Sequence, residues 1–291
     1  MSNQKEIRAR ISSTISTQQI TKAMKLVSAT KLRKATEAII RMRPYAMKLQ
    51  GIMSNLQDSA DDERLAVYFN SRDLKKVALV VITSDRGLCG AFNSNVVKRT
   101  RALLENDYSS LVQSGNVDII CIGKKGAETL KRLGYNVNTS YQGLLLDLNA
   151  QNAFDFAETL IQRFRSNEID KVEVIYNQFK NAATQILTND TLLPIAGAKQ
   201  VDSQNHEFLF EPSKVEILED LIPRSLKTQL YRSILDSLAS EHGARMVAMD
   251  KATDNAGELL SALKLAYNQA RQAAITREIS EIVGGVAALE G

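Results

Sequence analysis

The stretch Asp85-Arg86-Gly87-Leu88-Cys89-Gly90 places two charges, two glycines and a thiol directly after an apolar run. A glycine-bearing turn between a strand and a helix is where backbone N–H groups cradle phosphate. The spacing here is neither GxxxxGK[ST] nor GxGxxG, so the turn is read as a tight strand-to-helix connection that needs glycine. Gly123-Lys124-Lys125-Gly126 repeats the signal more weakly. The chain has two histidines, His206 in a polar stretch and His242 on an apolar seam, and neither has acid–His–nucleophile or metal-ligand spacing around it. Cys89 and Cys121 are too few and too far apart for a zinc site or a disulfide framework. Each sits in or beside an apolar segment, which suits a reduced core thiol and a reducing compartment. No residue is nominated as catalytic, cofactor-binding or metal-ligating, and the chain is read as non-catalytic, with no cofactor.

The elements that position these residues are strands alternating with helices. Lys75 to Thr83 reads as a strand, followed by the turn and a helix near Asn93–Glu105. Val117 to Ile122 is a second strand, followed by a helix at Ala127–Leu133. Phe154 to Arg165 reads as helix, and Lys171 to Phe179 and Thr184 to Leu193 as further strands. The alternation predicts a Rossmann-like α/β domain over residues 70–205, with antiparallel pairing among its later strands.

Both ends read as long helices, over 1–58 and 210–291. Leu32, Ala35, Ile39, Met42, Ala46, Leu49, Met53 and Leu56 alternate steps of three and four, the seam of a coiled coil. Upstream, Ile7, Ile11 and Ile15 keep a spacing of four, and Ile20, Met24 and Val27 shift the stripe by about a residue. Pro44 lies off the seam and is expected to bend the helix without ending it. The second helix opens on a capping box, Ser213-Lys214-Val215-Glu216. Pro223 and Ser225 predict a break or restart. Its seam then runs Leu235, Leu238, His242, Arg245, Met249, Ala252, Ala256, Leu259, Leu263, Ala266, Ala270, Ala273. The His242–Arg245 step reads as a polar contact that sets register. Gly284 and Gly285 are expected to loosen the end. At the rise of an α-helix the two segments would reach roughly 80 and 110 Å, too long for a compact domain, and an antiparallel pair buries both seams. The late seam is mostly alanine, so that part of the rod is thin and weakly held by its own burial.

Charge bounds the partners. Residues 1–50 hold 11 Lys+Arg against Glu6 and Glu37, leaving 26 basic and 31 acidic residues elsewhere. Such a segment attracts nucleic acid, an anionic membrane surface or an acidic protein. Tyr45 is its one aromatic, which argues against stacking on bases. The longest purely apolar run, Val77 to Ile82, is far short of the roughly 20 residues of a membrane span. The N-terminus has no apolar region after its charges, as a secretory signal would.

Ile20–Lys34 (ITKAMKLVSATKLRK), Val81–Val96 (VITSDRGLCGAFNSNV), Ser240–Gly257 (SEHGARMVAMDKATDNAG) and Tyr267–Ala288 (YNQARQAAITREISEIVGGVAA) resemble the gamma subunit of F-type ATP synthases of the bacterial type. The resemblance spans essentially the whole chain. It implies a central-stalk rotor that couples proton flow through a membrane ring to ATP synthesis or hydrolysis on catalytic subunits. The implied partners are the alpha and beta subunits of the catalytic hexamer, the epsilon subunit and the membrane c-ring, with the chain peripheral on the cytoplasmic face of the bacterial inner membrane. It further implies that Met24 and Lys25 face an acidic part of a catalytic subunit, with Arg245 in a nearby patch. Arg271, Gln272, Thr276 and Glu278 match the segment that engages a catalytic-subunit loop. The competing reading is a coiled-coil nucleic-acid-binding protein that uses its basic N-terminal helix.

Overall fold

The structure, a computed structural model, describes residues 4–55, 63–70, 72–146, 148–195 and 214–290. His206, Pro212, Ser213 and Leu56 lie outside the described residues. Two compact units divide the chain: one is Ala29–Arg245, the other Met1–Ser28 with Met246–Gly291.

Five strands form one sheet: β1 (Val77–Ile82), β2 (Val117–Ile122), β3 (Val137–Asn138), β4 (Lys171–Phe179) and β5 (Gln185–Leu193), in the order β3-β2-β1-β4-β5. The pairs β1–β2, β1–β4 and β2–β3 are parallel, and β5 returns antiparallel along β4. Every residue of β1 is buried, because helices cover both faces of the strand and leave no reason for polar alternation. Ala78, Val80 and Ile82 join one core with helix α6 (Ala150–Arg165) and the first turns of helix α7 (Lys214–Glu290). Val77, Leu79 and Val81 join the other, with helices α3 (Phe92–Ala102) and α5 (Lys124–Arg132). Helices α2 (Glu63–Phe69) and α4 (Ser109–Gln113), together with the two-residue β3, escape the sequence pattern because none is long enough to show a period.

Two long helices complete the chain, α1 (Gln4–Asn55) and α7. Pro44 sits inside α1, as expected. Pro223 does not interrupt α7. Leu218, Ile222, Leu226 and Leu230 stay buried against the sheet on both sides of it. That burial outweighs the ~3 kcal/mol cost of one interior proline. The loosened end expected at Gly284 and Gly285 is also absent. Neither glycine takes the left-handed φ that terminates helices, and two glycines cost only about 2 kcal/mol against alanine.

In the unit formed by the chain ends, α1 and α7 run antiparallel. Lys25 Nζ meets Asp250 Oδ1 at 2.5 Å, the Thr21 and Thr253 hydroxyls are 2.8 Å apart, and Gln18 reaches the Thr253 carbonyl at 3.5 Å. The buried line of α1 here is Ile7, Thr14, Thr21 and Ser28, in register with Ala35 and Leu49 further along the helix. The shift of the stripe expected from Ile15, Ile20 and Val27 is therefore corrected. Those residues are 37%, 59% and 58% exposed, and the seam keeps its heptad by turning polar. In α7 the seam also departs from the pattern. Leu259 is 53% exposed, while Leu260, Leu263, Ala270 and Ala274 are half-buried and Ala273 is exposed. An α-helix advances slightly more than a strict heptad, and Leu260 offers an equal apolar side chain one position on.

Candidate partner interface

In doubly wound sheets ligands settle outside the carboxyl ends of the strands, where strand order reverses. Here that point lies between β1 and β4. On the neighbouring β1–β2 side of this point the chain's own groups close the carboxyl end of β1. The Asp85 Oδ1 carboxylate accepts the backbone N–H of Lys124 at 3.0 Å, at the N-terminus of α5. Thr83 Oγ1 accepts from Gly126 N–H at 3.0 Å, deeper in the same turn. A Cβ at Gly126 would fall 2.6 Å from Thr83 Oγ1, and one at Gly123 2.1 Å from the Thr83 carbonyl oxygen, so both glycines are required by this approach. From α7, Arg245 Nη2 donates to the carbonyls of Arg86 at 3.1 Å and Gly87 at 3.3 Å. A phosphate needs N–H donors, and this turn instead offers carbonyls to a guanidinium.

Arg245 is the centre of a buried cluster. Its Nη1 donates to Glu241 Oε1 at 2.6 Å and lies 3.4 Å from His242 Nδ1. Burial pushes the Glu241 carboxyl up, against the pull of Arg245. Burial pushes His242 down to about 4, helped by the charges of Arg245 and Lys31. His242 is therefore neutral, with Nδ1 as acceptor toward Arg245 and its proton on Nε2. The two residues touch, but within one turn of α7, and Arg245 braces the turn after β1 where a contact setting helix register was expected. Glu241 was not singled out from the sequence, although its position four residues before Arg245 was the signal available.

The resemblance-derived interface residues fall into distinct environments. Arg245 is 7% exposed and its donors are engaged within the chain. In the other unit, Met24 and Lys25 are half-buried, and Lys25 pairs with Asp250. Arg271, Gln272, Thr276 and Glu278 are all exposed on α7. The register fixed by Thr21–Thr253 and Lys25–Asp250, continued along α1, brings Gln4 opposite Ala270 and Arg271. Beyond that level α7 carries Ile275, Ile279, Ile282, Val283 and Val286, 47–66% exposed and spaced along one helical face. Apolar residues repeated at this spacing and left in solvent mark a contact surface.

Residues 3–289 match the sequence model of the family described as ATP synthase. The ATP synthase gamma chain of Cytophaga hutchinsonii is 54% identical over 293 residues, covering 99% of each chain. That of Flavobacterium johnsoniae is 53% identical over 292 residues, covering 100% of each. The fold is similar to the central stalk of the Tetrahymena thermophila mitochondrial ATP synthase, with TM-score 0.58 and 26% identity over 80% of this chain and 99% of that one. A Euglena gracilis mitochondrial ATP synthase chain has TM-score 0.66 at 22% identity, over 98% of this chain and 94% of the other. The chain belongs to the ATP synthase gamma chain family. The nucleic-acid-binding alternative finds no support among these relatives.

Proposed function

We propose that this chain is the rotating central stalk of an F-type ATP synthase, a non-catalytic subunit that transmits torque between a proton-driven membrane ring and a catalytic hexamer. The observation that carries the reading is the terminal part of α7, which presents Ile275, Ile279, Ile282 and Val283 to solvent. A helix end with this much exposed apolar surface suits an axle seated in a sleeve of other subunits. The alpha and beta subunits would form that sleeve, and the epsilon subunit and c-ring would hold the α/β domain. Met24, Lys25, Arg271, Gln272, Thr276 and Glu278 are the proposed contacts with the catalytic subunits. No described helix is long and apolar enough to cross a membrane, which suits a peripheral place on the membrane's cytoplasmic face.

The test is a reversible lock. With Cys89 and Cys121 replaced, Gln272→Cys is cross-linked to a cysteine placed on the surrounding ring of the reconstituted complex. A rotor stops turning over when tied and recovers on reduction. Unchanged steady-state turnover in the tied complex would overturn the reading.

A further inference from the structure

The loops that follow β1 and β4 leave the same edge of the sheet, because those strands are parallel neighbours. Both loops meet α7 at nearly the same level. From the first, the Arg86 and Gly87 carbonyls accept from Arg245 Nη2 at 3.1 and 3.3 Å. From the second, Ala182 comes so near Gly243 that a Cβ there would stand 3.1 Å from the Ala182 Cα and 3.2 Å from its carbonyl oxygen. With about 100° of turn per residue, Gly243 and Arg245 face roughly opposite sides of the helix. Each loop is stiffened by bonds of its own. Ser84 Oγ donates to the Arg86 carbonyl at 2.7 Å and accepts from Asn93 Nδ2 at 2.8 Å. In the hairpin turn, Asn181 Oδ1 accepts from the Thr184 N–H at 2.7 Å, and Gln185 Nε2 donates to the Ala182 carbonyl at 3.1 Å. A glycine inside a helix is disfavoured against alanine. Here it lets the hairpin backbone come closer than a side chain would allow without displacement.

We propose that the two loops form a torsional key, in which Gly243 and Arg245 fix the rotational setting of α7 in the α/β domain and pass torque between domain and helix. One loop sets a backbone stop against a flat patch of the helix. The other sets two carbonyls that hold a planar guanidinium in one orientation. Grips on opposite sides resist turning in either sense, whereas Leu218, Ile222, Leu226 and Leu230 bury only the face that packs against the sheet. Gly243 is thus a positioning residue that acts through the helix it sets. The transfer of torque rests on the rotor reading, and the fixed setting is a property of the chain alone.

Pulsed electron paramagnetic resonance on the full chain tests the setting. With Cys89 and Cys121 replaced, nitroxides are attached at Lys98→Cys on α3 and Lys251→Cys on α7, both exposed positions. Gly243→Val and Arg245→Ala should each broaden the distance distribution about twofold, as the helix samples more than one setting. Gly243→Ala asks the hairpin for a smaller displacement and should fall between them and the parent chain. A second pair, Lys98→Cys with Thr159→Cys on α6, lies wholly within the α/β domain and should stay narrow in every variant. Broadening of both pairs together would mean that these residues hold the domain's fold, and would overturn the key, as would an unchanged Lys98–Lys251 distribution. In the reconstituted complex, Gly243→Val should lower proton-driven synthesis several-fold and spare hydrolysis by the complex stripped of its membrane ring, where the domain carries no load. Equal loss of both would overturn the torque transfer. The cross-link at Gln272 should still arrest turnover in Gly243→Val; its failure to do so in the parent complex would strike the rotor reading and leave the fixed setting to the resonance measurement.

Discussion

Arg245 Nη1 meets Glu241 Oε1 at 2.6 Å across one turn of α7, with the two side chains only 9% and 10% exposed. A buried pair of this kind is weak evidence for net stability, because both ions leave water. Removing one partner is a different matter. Arg245→Ala leaves the Glu241 carboxylate and the Arg86 and Gly87 carbonyls without their donor, and should cost about 3–5 kcal/mol in urea unfolding. Arg245→Lys should recover part of this, because a single ammonium cannot span a carboxylate and two carbonyls. Equal stability of Arg245→Ala and wild type would remove the brace from the account.

His242 supplies a pH dependence whose sign is fixed by its environment. Its folded value, about 4, lies below the ordinary 6.5, so the unfolded chain binds more protons between those limits. The contribution is fully present above pH 6.5 and is lost as pH falls toward 4, amounting to at most about 3 kcal/mol. Asp236 acts in the opposite sense, being most favourable below the ordinary aspartate value and lost as pH rises through about 6. Unfolding free energies measured from pH 7.5 to 4.5 should therefore fall less steeply on acidification in His242→Gln than in wild type. Parallel curves would show that His242 titrates normally.

Where a segment is long and its pattern has one cause, the sequence was a sufficient guide. The strand limits Val117 to Ile122 and Lys171 to Phe179 agree with β2 and β4, and the heptad of Leu32 to Leu49 agrees with the buried side of α1. It misled where polar residues do the packing. Thr14, Thr21 and Ser28 are buried while Ile15, Ile20 and Val27 face solvent, so apolarity along that stretch reports an outer surface rather than the seam. The crevice was legible only as a missing motif. That Asp85 and Arg245 brace the turn after β1 depends on contacts 39 and 159 residues apart, which no local spacing encodes.

The Gly123-Lys124-Lys125-Gly126 turn gives a two-part prediction. Gly126→Ala drives a Cβ to 2.6 Å from Thr83 Oγ1 and 2.7 Å from its Cγ2, and overpacking of this sort costs about 1–3 kcal/mol. Thr83→Ala removes both atoms, so the double variant should lose less than the sum of the singles. Gly123→Ala meets the Thr83 backbone oxygen instead and has φ of 95°, so the same partner substitution should not rescue it. Thermal melts of the four-member cycles distinguish the cases, and rescue of Gly123→Ala would contradict the geometry.

Leu259 and Leu263 separate the seam from the outer face of α7. Leu263 is half-buried, and Leu263→Asp should lose about 1.5–3 kcal/mol of burial with further desolvation cost. Leu259 is 53% exposed, and Leu259→Asp should leave helix melting by circular dichroism within about 0.5 kcal/mol of wild type. The α/β domain should melt unchanged in both. A larger loss at position 259 than at 263 would restore the register first expected from the heptad.

Arg271 offers the sharpest separation of structural from mechanical roles. It is exposed on α7, at the level that the register sets opposite Gln4 of α1. Truncation there removes little intramolecular packing, so Arg271→Ala should melt like wild type in the isolated chain. In the proposed complex the guanidinium would meet a catalytic-subunit loop, and a lost interfacial contact worth about 1.4 kcal/mol alters an equilibrium tenfold. Multi-site turnover and proton-driven synthesis should fall several-fold, whereas nucleotide affinity at the first catalytic site should change far less, because the chemistry stays on the partner. The measurement is a reconstituted complex assayed for single-site binding, multi-site hydrolysis and synthesis in parallel. An equal loss in all three would point to failed assembly, and no loss in any would remove Arg271 from the contact. Arg271→Lys distinguishes charge from shape: recovery of turnover would mean that a cation suffices, and continued loss that the planar fork is what the loop grips.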